Sequence, residues 1–301
     1  MTAKSLRAGL ATLTMSGLVL TGCNPSDQAA TGGDGTPPVL RFSAIPDQNQ
    51  TELREKFTAI AQHLSGELGV PFEYVPAADY RASVQMFRNG DIHLAWFGGL
   101  TGAQARNAVP GARAIAQGDS DPLYFSYFLA HRDTGLEESD EFPMEIAGMS
   151  FTFGSESSTS GRLMPEYFIR EITGKTPAEF FEQQPGFSGD HTKTIELVST
   201  GQIQVAVVAY TLYDRMVEDG LIDTDLVRVI WRTPDYANYN FTAHPELDEI
   251  YGEGFIERLA EALIAIDDPE LLSAFPRGAI IPAKCEDFEG TRIVAEDLGF
   301  L

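Results

Sequence analysis

Residues 154–161 read Gly-Ser-Glu-Ser-Ser-Thr-Ser-Gly, between a short apolar run at 149–153 and a helical pattern at 162–170. A strand, a hydroxyl-rich turn and a helix start, in that order, make an anion trap. The first N–H groups of a helix have no intrahelical acceptor, and the aligned peptide dipoles add partial positive charge at the same end. Ser158, Thr159 and Ser160 can aim three hydroxyl donors at that point. The chemistry expected is capture of a small oxyanion by neutral donors rather than by paired salt bridges.

Other reactive side chains fall at equivalent junctions. Asp47 follows the first strand in Ile45-Pro46-Asp47-Gln48-Asn49, Asp79-Tyr80 opens a helix, and Trp96-Phe97 closes a strand. Tyr124 precedes another strand, Gly189-Asp190-His191 precedes a helix, and Tyr210 follows a fully apolar strand. Taken singly, each has an ordinary use. Asp79 and Asp190 suit helix N-caps, Trp96 and Phe97 suit a core, and His191 suits a helix surface. Their shared position at one end of successive strands marks Tyr80, Phe97, Tyr124, Ser158, Thr159, Ser160, His191 and Tyr210 as candidate ligand-binding residues.

Catalysis is a weaker reading. The chain has no Gly-x-Ser-x-Gly elbow, no Walker loop and no His-Glu-x-x-His. Ser158 or Ser160 with His191 could imitate a nucleophile and its base. A serine nucleophile, however, sits alone in a sharp turn and not in a run of hydroxyls capping a helix. No cofactor and no metal site are expected.

The elements that must position these residues alternate. Strands are expected at 39–44, 72–75, 92–97, 112–117, 124–130, 149–153, 205–209 and 227–231. Helices are expected at 51–68, 80–89, 99–108, 161–173, 192–200 and 210–219, with a mainly helical remainder. This is an α/β pattern with mostly parallel pairing. The segments 124–130 and 230–234 read as two crossings between lobes, so one lobe is expected from residues 39–126 plus 235–301 and the other from 127–234.

The chain has 301 residues and a formal charge of −23, which argues against a nucleic-acid partner and against binding to anionic lipid through basic residues. Its first residues form a targeting segment. Lys4 and Arg7 precede an apolar stretch at 8–20, too short for a membrane span, that ends in Leu20-Thr21-Gly22-Cys23. This ending resembles a bacterial lipobox, which implies a signal peptide at 1–22 and lipid on Cys23. Residues 23–38 are rich in Gly, Pro, Ser and Thr and read as a flexible tether. Only two cysteines exist, so a lipidated Cys23 leaves Cys285 unpaired, a partly buried structural thiol.

Six stretches carry a family likeness: LRFSAIPDQNQTEL, PAADYRASVQMFRNGDIHLAWFGGLTGAQA, DPLYFSYFLAHRDTGL, FTFGSESSTSGRLMPEYF, GFSGDHTKTIELV and RVIWRTPDYANYNFTAHPEL. On these the chain resembles the solute-binding lipoproteins of phosphate, phosphite and phosphonate ABC importers, and within them the branch labelled putative selenate-binding proteins. The resemblance implies a type II periplasmic-binding-protein fold, two α/β lobes on a two-stranded hinge that close on an oxyanion. It implies ligand contacts from Ser158, Thr159, Ser160, Tyr80, Tyr124 and His191. Phosphonate binders carry a polar stretch after the strand at 205–209, where this chain has Tyr210-Thr211, and the departure fits a smaller anion without an aminoalkyl tail.

The chain is therefore expected to be a monomeric, lipid-anchored receptor on a bacterial membrane, facing the periplasm or the outside. Its partner would be an ABC permease or, alternatively, a membrane sensor. An esterase using Ser160 and His191 is the remaining alternative. The anion depends on the nearby carboxylates. If Asp47, Asp79 and Asp190 all point away, the site only donates, and selenate or sulfate fits; an inward carboxylate favours protonated phosphate-type anions. Asp79 and Asp190 immediately precede helical stretches, which tilts the expectation to the donor-only site.

Overall fold

The computed structural model describes residues 37–301. The signal peptide, Cys23 and all but the last two residues of the tether lie outside the described residues. In chain order the first elements are β1 (Leu40–Ala44), α1 (Gln50–Leu68), β2 (Phe72–Tyr74), α2 (Tyr80–Arg88), β3 (Leu94–Phe97), α3 (Gly99–Ala108) and β4 (Arg113–Gly118). Next come β5 (Ser126–His131), β6 (Phe151–Phe153), α4 (Met164–Thr173), α5 (Pro177–Phe180), β7 (Gly186–Phe187), α6 (His191–Ser199), β8 (Val205–Ala209), α7 (Tyr210–Glu218) and β9 (Val227–Arg232). The chain ends with β10 (Asn240–Ala243), α8 (Glu246–Tyr251), α9 (Phe255–Ile264), α10 (Pro269–Leu272), β11 (Ile280–Pro282) and α11 (Glu289–Asp297).

Two sheets organise the molecule, in the orders β11-β4-β10-β3-β1-β2 and β7-β6-β8-β5-β9. The first takes strands from both ends of the chain and the second takes the middle, so the chain crosses between them twice. Midway along the crossings Tyr124 and Tyr236 exchange backbone hydrogen bonds of 2.9 and 2.8 Å. This is the two-stranded hinge of an α/β, type II periplasmic-binding-protein fold.

Local chemistry sets the elements. Asn49 caps α1, its side chain accepting from the N–H groups of Thr51 and Glu52, and Gly69 ends it in a left-handed conformation at φ 67°. Leu53, Phe57, Ile60 and Leu64 lie on the buried face of α1. All five residues of β8 are buried, as a central strand covered on both faces must be.

Three expectations change. Pairing is mixed, because the crossing strands return antiparallel: β5 pairs antiparallel with β8 and β9, and β10 with β3 and β4. The region after 234 is mainly helical as expected but also contributes two strands the sequence did not show, β10 and β11. β10 reads Asn-Phe-Thr-Ala and is wholly buried, so it shows neither an apolar run nor a polar outer face. Arg106 of α3 reaches both polar side chains, at 3.0 Å from Asn240 Oδ1 and 3.0 Å from Thr242 Oγ1. Finally, the helix expected from 161 opens with a π-helical turn, Thr159–Leu163. Pro165 has no N–H to give the carbonyl of Gly161, which instead accepts from Gly154 N–H at 2.9 Å.

One hydrophobic cluster fills the first lobe, and it also takes in Leu163, Met164 and Ala209 from the second. The lobes are thus packed against each other. Among the described residues no helix is long and apolar enough to cross a membrane.

Candidate anion-binding site

The π-helical turn leaves donors over. Leu163 N–H bonds to Ser158 O at 3.0 Å and Met164 N–H to Thr159 O, so the N–H groups of Thr159 and Ser160 have no intrahelical acceptor. Ser158 Oγ accepts from Gly161 N–H at 2.9 Å, which leaves its own hydroxyl proton free to donate. A Cβ on Gly161 would lie 3.0 Å from that oxygen and 3.0 Å from a ring carbon of His191, so a side chain here would crowd both groups. The Ser160 carbonyl accepts from Ser126 Oγ at 2.8 Å, which ties the turn to the start of β5.

His191 is buried at the first turn of α6, behind its cap Asp190. Its Nδ1 faces the Ala209 N–H at 3.4 Å, an arrangement that assigns the ring proton to Nε2. Nε2 lies 3.4 Å from Ser160 Oγ. Burial pulls the imidazole pKa down to about 4, so at neutral pH it is a neutral donor.

The first lobe faces this turn with tyrosines and one carboxylate. Tyr80 is buried at the start of α2, and its hydroxyl lies beside Ser158 without a hydrogen bond of good geometry. Burial and then the charge of Asp47 push its ionisation well above the usual range, so it stays a donor. Tyr239 donates to Asp47 Oδ2 at 2.8 Å, Tyr124 pairs with Thr211 Oγ1 at 2.7 Å, and Tyr236 pairs with Ser126 Oγ at 2.5 Å. Arg277 stacks on Tyr124 and Tyr239, at 5.2 and 5.1 Å from the ring centroids, and is held by buried Asp121 at 2.6 and 3.0 Å. Its charge is already compensated, so it braces the rings. An enclosed cavity of about 10 Å³ borders Asp47, Trp96, His191, Thr211, Tyr239 and Arg277.

Of the residues singled out in the sequence, Tyr80, Ser158, Ser160 and His191 are brought together, with Tyr124 beside them. Thr159 Oγ1 accepts from Leu100 N–H at 2.9 Å, so it also caps α3 of the opposite lobe. Phe97 is elsewhere. Its ring packs in the core against Phe87, at 5.7 Å between centroids. Neighbouring Trp96 takes the cavity side and stacks on Tyr239, because successive strand residues face opposite ways. Tyr210 stacks on Phe125 at 3.9 Å and lines an outer groove between the lobes. His191, readable from its position as a surface residue, is 1% exposed.

Two of the three nearby carboxylates are tied up in helix caps. Asp79 and Asp190 do cap helices, accepting from Ala82 and Lys193 N–H at 2.7 Å each. Asp47 caps nothing, because Asn49 already caps α1; its carboxylate accepts from Tyr239 and borders the small cavity with His191, a cavity that none of Tyr80, Ser158, Thr159 and Ser160 lines. Desolvation raises its pKa against the lowering pull of Tyr239, Arg277 and Arg215. Asn49, two residues on, was the signal that Asp47 was free for other work. Tyr239, Tyr236 and Arg277 gave no local signal. Among the described residues no group of three or more metal-ligating side chains occurs.

Comparison with known proteins gives the family. A family model described as "ABC transporter, phosphonate, periplasmic substrate-binding protein" matches residues 42–288. A probable ABC transporter phosphite binding protein, PhnD1 of Prochlorococcus marinus, is 34% identical over 269 residues, covering 87% of this chain and 90% of the relative. The phosphate-import protein PhnD of Mycolicibacterium smegmatis is 26% identical over 240 residues, covering 76% of this chain and 74% of the relative. The solved structure of the Prochlorococcus protein in complex with methylphosphonate superposes with a TM-score of 0.82 at 33% identity, covering 87% of this chain and 99% of that one.

Proposed function

The chain belongs to the periplasmic substrate-binding proteins of phosphonate ABC transporters, and from that premise we propose that it captures a small, singly protonated phosphonate or phosphite between its lobes and passes it to the permease. The lobes, 39–126 plus 235–301 and 127–234, would close about the Tyr124–Tyr236 pair. Ser158, Thr159, Ser160, Tyr80 and His191 would donate to the anion's oxygens, with Tyr124 at the wall. Closure excludes water and so strengthens each bond.

The observation that carries this reading is Asp47. It lies beside His191 and Tyr239, and next to the anion its carboxylate would accept a P–OH proton, which a monoprotonated phosphonate or phosphite offers and selenate or sulfate lacks. A fully ionised anion would have to draw a proton onto Asp47 from solvent before it could approach. Its raised pKa makes that uptake possible at acid pH, so selenate should bind, if at all, more weakly as pH rises. Calorimetric titration of methylphosphonate, phosphite, phosphate, selenate and sulfate at pH 6 and pH 8 tests the assignment. Phosphite and methylphosphonate should bind at pH 6 and more weakly at pH 8, where less of each carries the P–OH proton, and both should outbind selenate at either value. Tight selenate binding at pH 8 with phosphite unbound would overturn it.

Ser160 and His191 read as a donor pair rather than a nucleophile and base. The Nδ1 of His191 faces a backbone N–H where a catalytic histidine would be oriented by a carboxylate. Cys23 is proposed as the lipid attachment point, on the lipobox-like Leu20-Thr21-Gly22-Cys23. Cys23→Ser should abolish labelling by a fatty-acid probe, and normal labelling would refute the assignment.

A further inference from the structure

The seam between the lobes is open on either side of one side chain. One groove is lined by Tyr210, Asp214, Asp267 and Ser273, and another by Asn49, Lys56, Thr192 and Leu221; Arg215 of α7 borders both. It crosses between them. Its Nη2 donates to Gln48 Oε1 at 2.6 Å and lies 3.7 Å from Glu52 Oε2. Among the described residues, every side-chain hydrogen bond and ion pair of Arg215 goes to the first lobe. An arginine bonded only across a cleft has bonds only when the cleft is shut.

We propose that Arg215 is a cross-lobe latch that holds the closed form through Gln48 and so sets how long the ligand stays; this rests on the binding function proposed above. Gln48 stands next to Asp47 on the loop between β1 and α1, so the latch grips the loop that presents the carboxylate. The bond to Gln48, 7% exposed, outweighs the pair with Glu52, whose side chain is 54% exposed and screened by solvent. Arg215 Nη1 is buried with no hydrogen-bond partner. Closure therefore gains one charge-assisted bond and strips one N–H pair of water, which offsets part of the gain. The latch biases the closed state without locking it, as a protein that must release its cargo requires.

Stopped-flow mixing with methylphosphonate separates this role from a merely structural one. Arg215→Met keeps the apolar stem and removes the donors. It should raise koff roughly tenfold and leave kon within about twofold, with the melting temperature of the ligand-free protein unchanged. Gln48→Ala breaks the same bond from the other side and should match it. The double variant should be no worse than either single one, because both remove one interaction. Unchanged koff, or losses that add in the double variant, would overturn the latch. A wild-type protein that binds neither methylphosphonate nor phosphite would sink the binding reading itself, and the latch with it.

Discussion

The two lobes meet the site with different kinds of chemistry. The second lobe presents a turn and a histidine with groups held by bonds within that lobe: Ser158 to Gly161 N–H and His191 to Ala209 N–H. The first lobe presents side chains on aromatic arms, with Tyr80 lacking a hydrogen bond of good geometry and Asp47 shared with Tyr239. A cradle of fixed neutral donors suits any tetrahedral oxyanion. A carboxylate and a free hydroxyl distinguish one anion from another. Under the proposed function, the second lobe would supply affinity for the class and the first lobe selectivity within it.

The strongest way to break the division is at Gly161. Gly161→Ala puts a methyl 3.0 Å from both Ser158 Oγ and the His191 ring, so both must give by a few tenths of an ångström and lose their aim at the anion. Affinity should fall about a hundredfold or more for phosphite and phosphate alike, at two displaced donors of roughly 1.5–3 kcal/mol each. Calorimetry with unaltered circular dichroism would check it; a loss confined to one anion would count against a class-wide cradle.

Tyr80→Phe removes a hydroxyl that makes no hydrogen bond of good geometry within the protein. Binding should weaken about tenfold or more, while the ligand-free protein melts at the same temperature or slightly higher, since a buried unsatisfied hydroxyl is lost. A lower melting temperature with full affinity would make Tyr80 a packing residue. Asp47→Asn sharpens the contrast in another way. It should weaken phosphite and methylphosphonate by about tenfold and improve selenate, reversing the order of anions rather than lowering all of them. A uniform loss would remove the case for a selecting carboxylate.

The smallest effect concerns acid stability, where the lobes should behave alike. His93 in the first lobe and His191 in the second are both buried, with pKa values lowered to about 4. Folding therefore favours their neutral forms, while the unfolded chain takes up protons below about pH 6.5. This stabilisation is present above pH 6.5, is lost as pH falls towards 4, and falls no further below that. Melting temperatures from pH 7 to pH 4 should decline accordingly, and His93→Asn, which cannot charge, should decline less. An identical slope in that variant would show that His93 does not contribute.

Sequence alone was enough for the turn, the caps and the alternation of strands and helices. Each depends on residues within one helical turn or one strand of each other. Ser158 bonds to Gly161, Asp79 to Ala82 and Asp190 to Lys193, and all three are visible as short spacings. The buried strand β10 was not visible, because its asparagine and threonine are made acceptable by an arginine more than a hundred residues away. The choice between Trp96 and Phe97 turned on which face of β3 meets the cleft, a single-residue difference that pattern does not settle. The direction of Asp47 depended on Tyr239, 192 positions on, and the partner of Gln48 on Arg215, 167 positions on. Local hydrogen bonding thus determined the turn on which the proposed oxyanion cradle rests. Only the folding of distant segments onto one cleft decided which carboxylate faces it and which arginine spans it, because those contacts exist only once the two lobes meet.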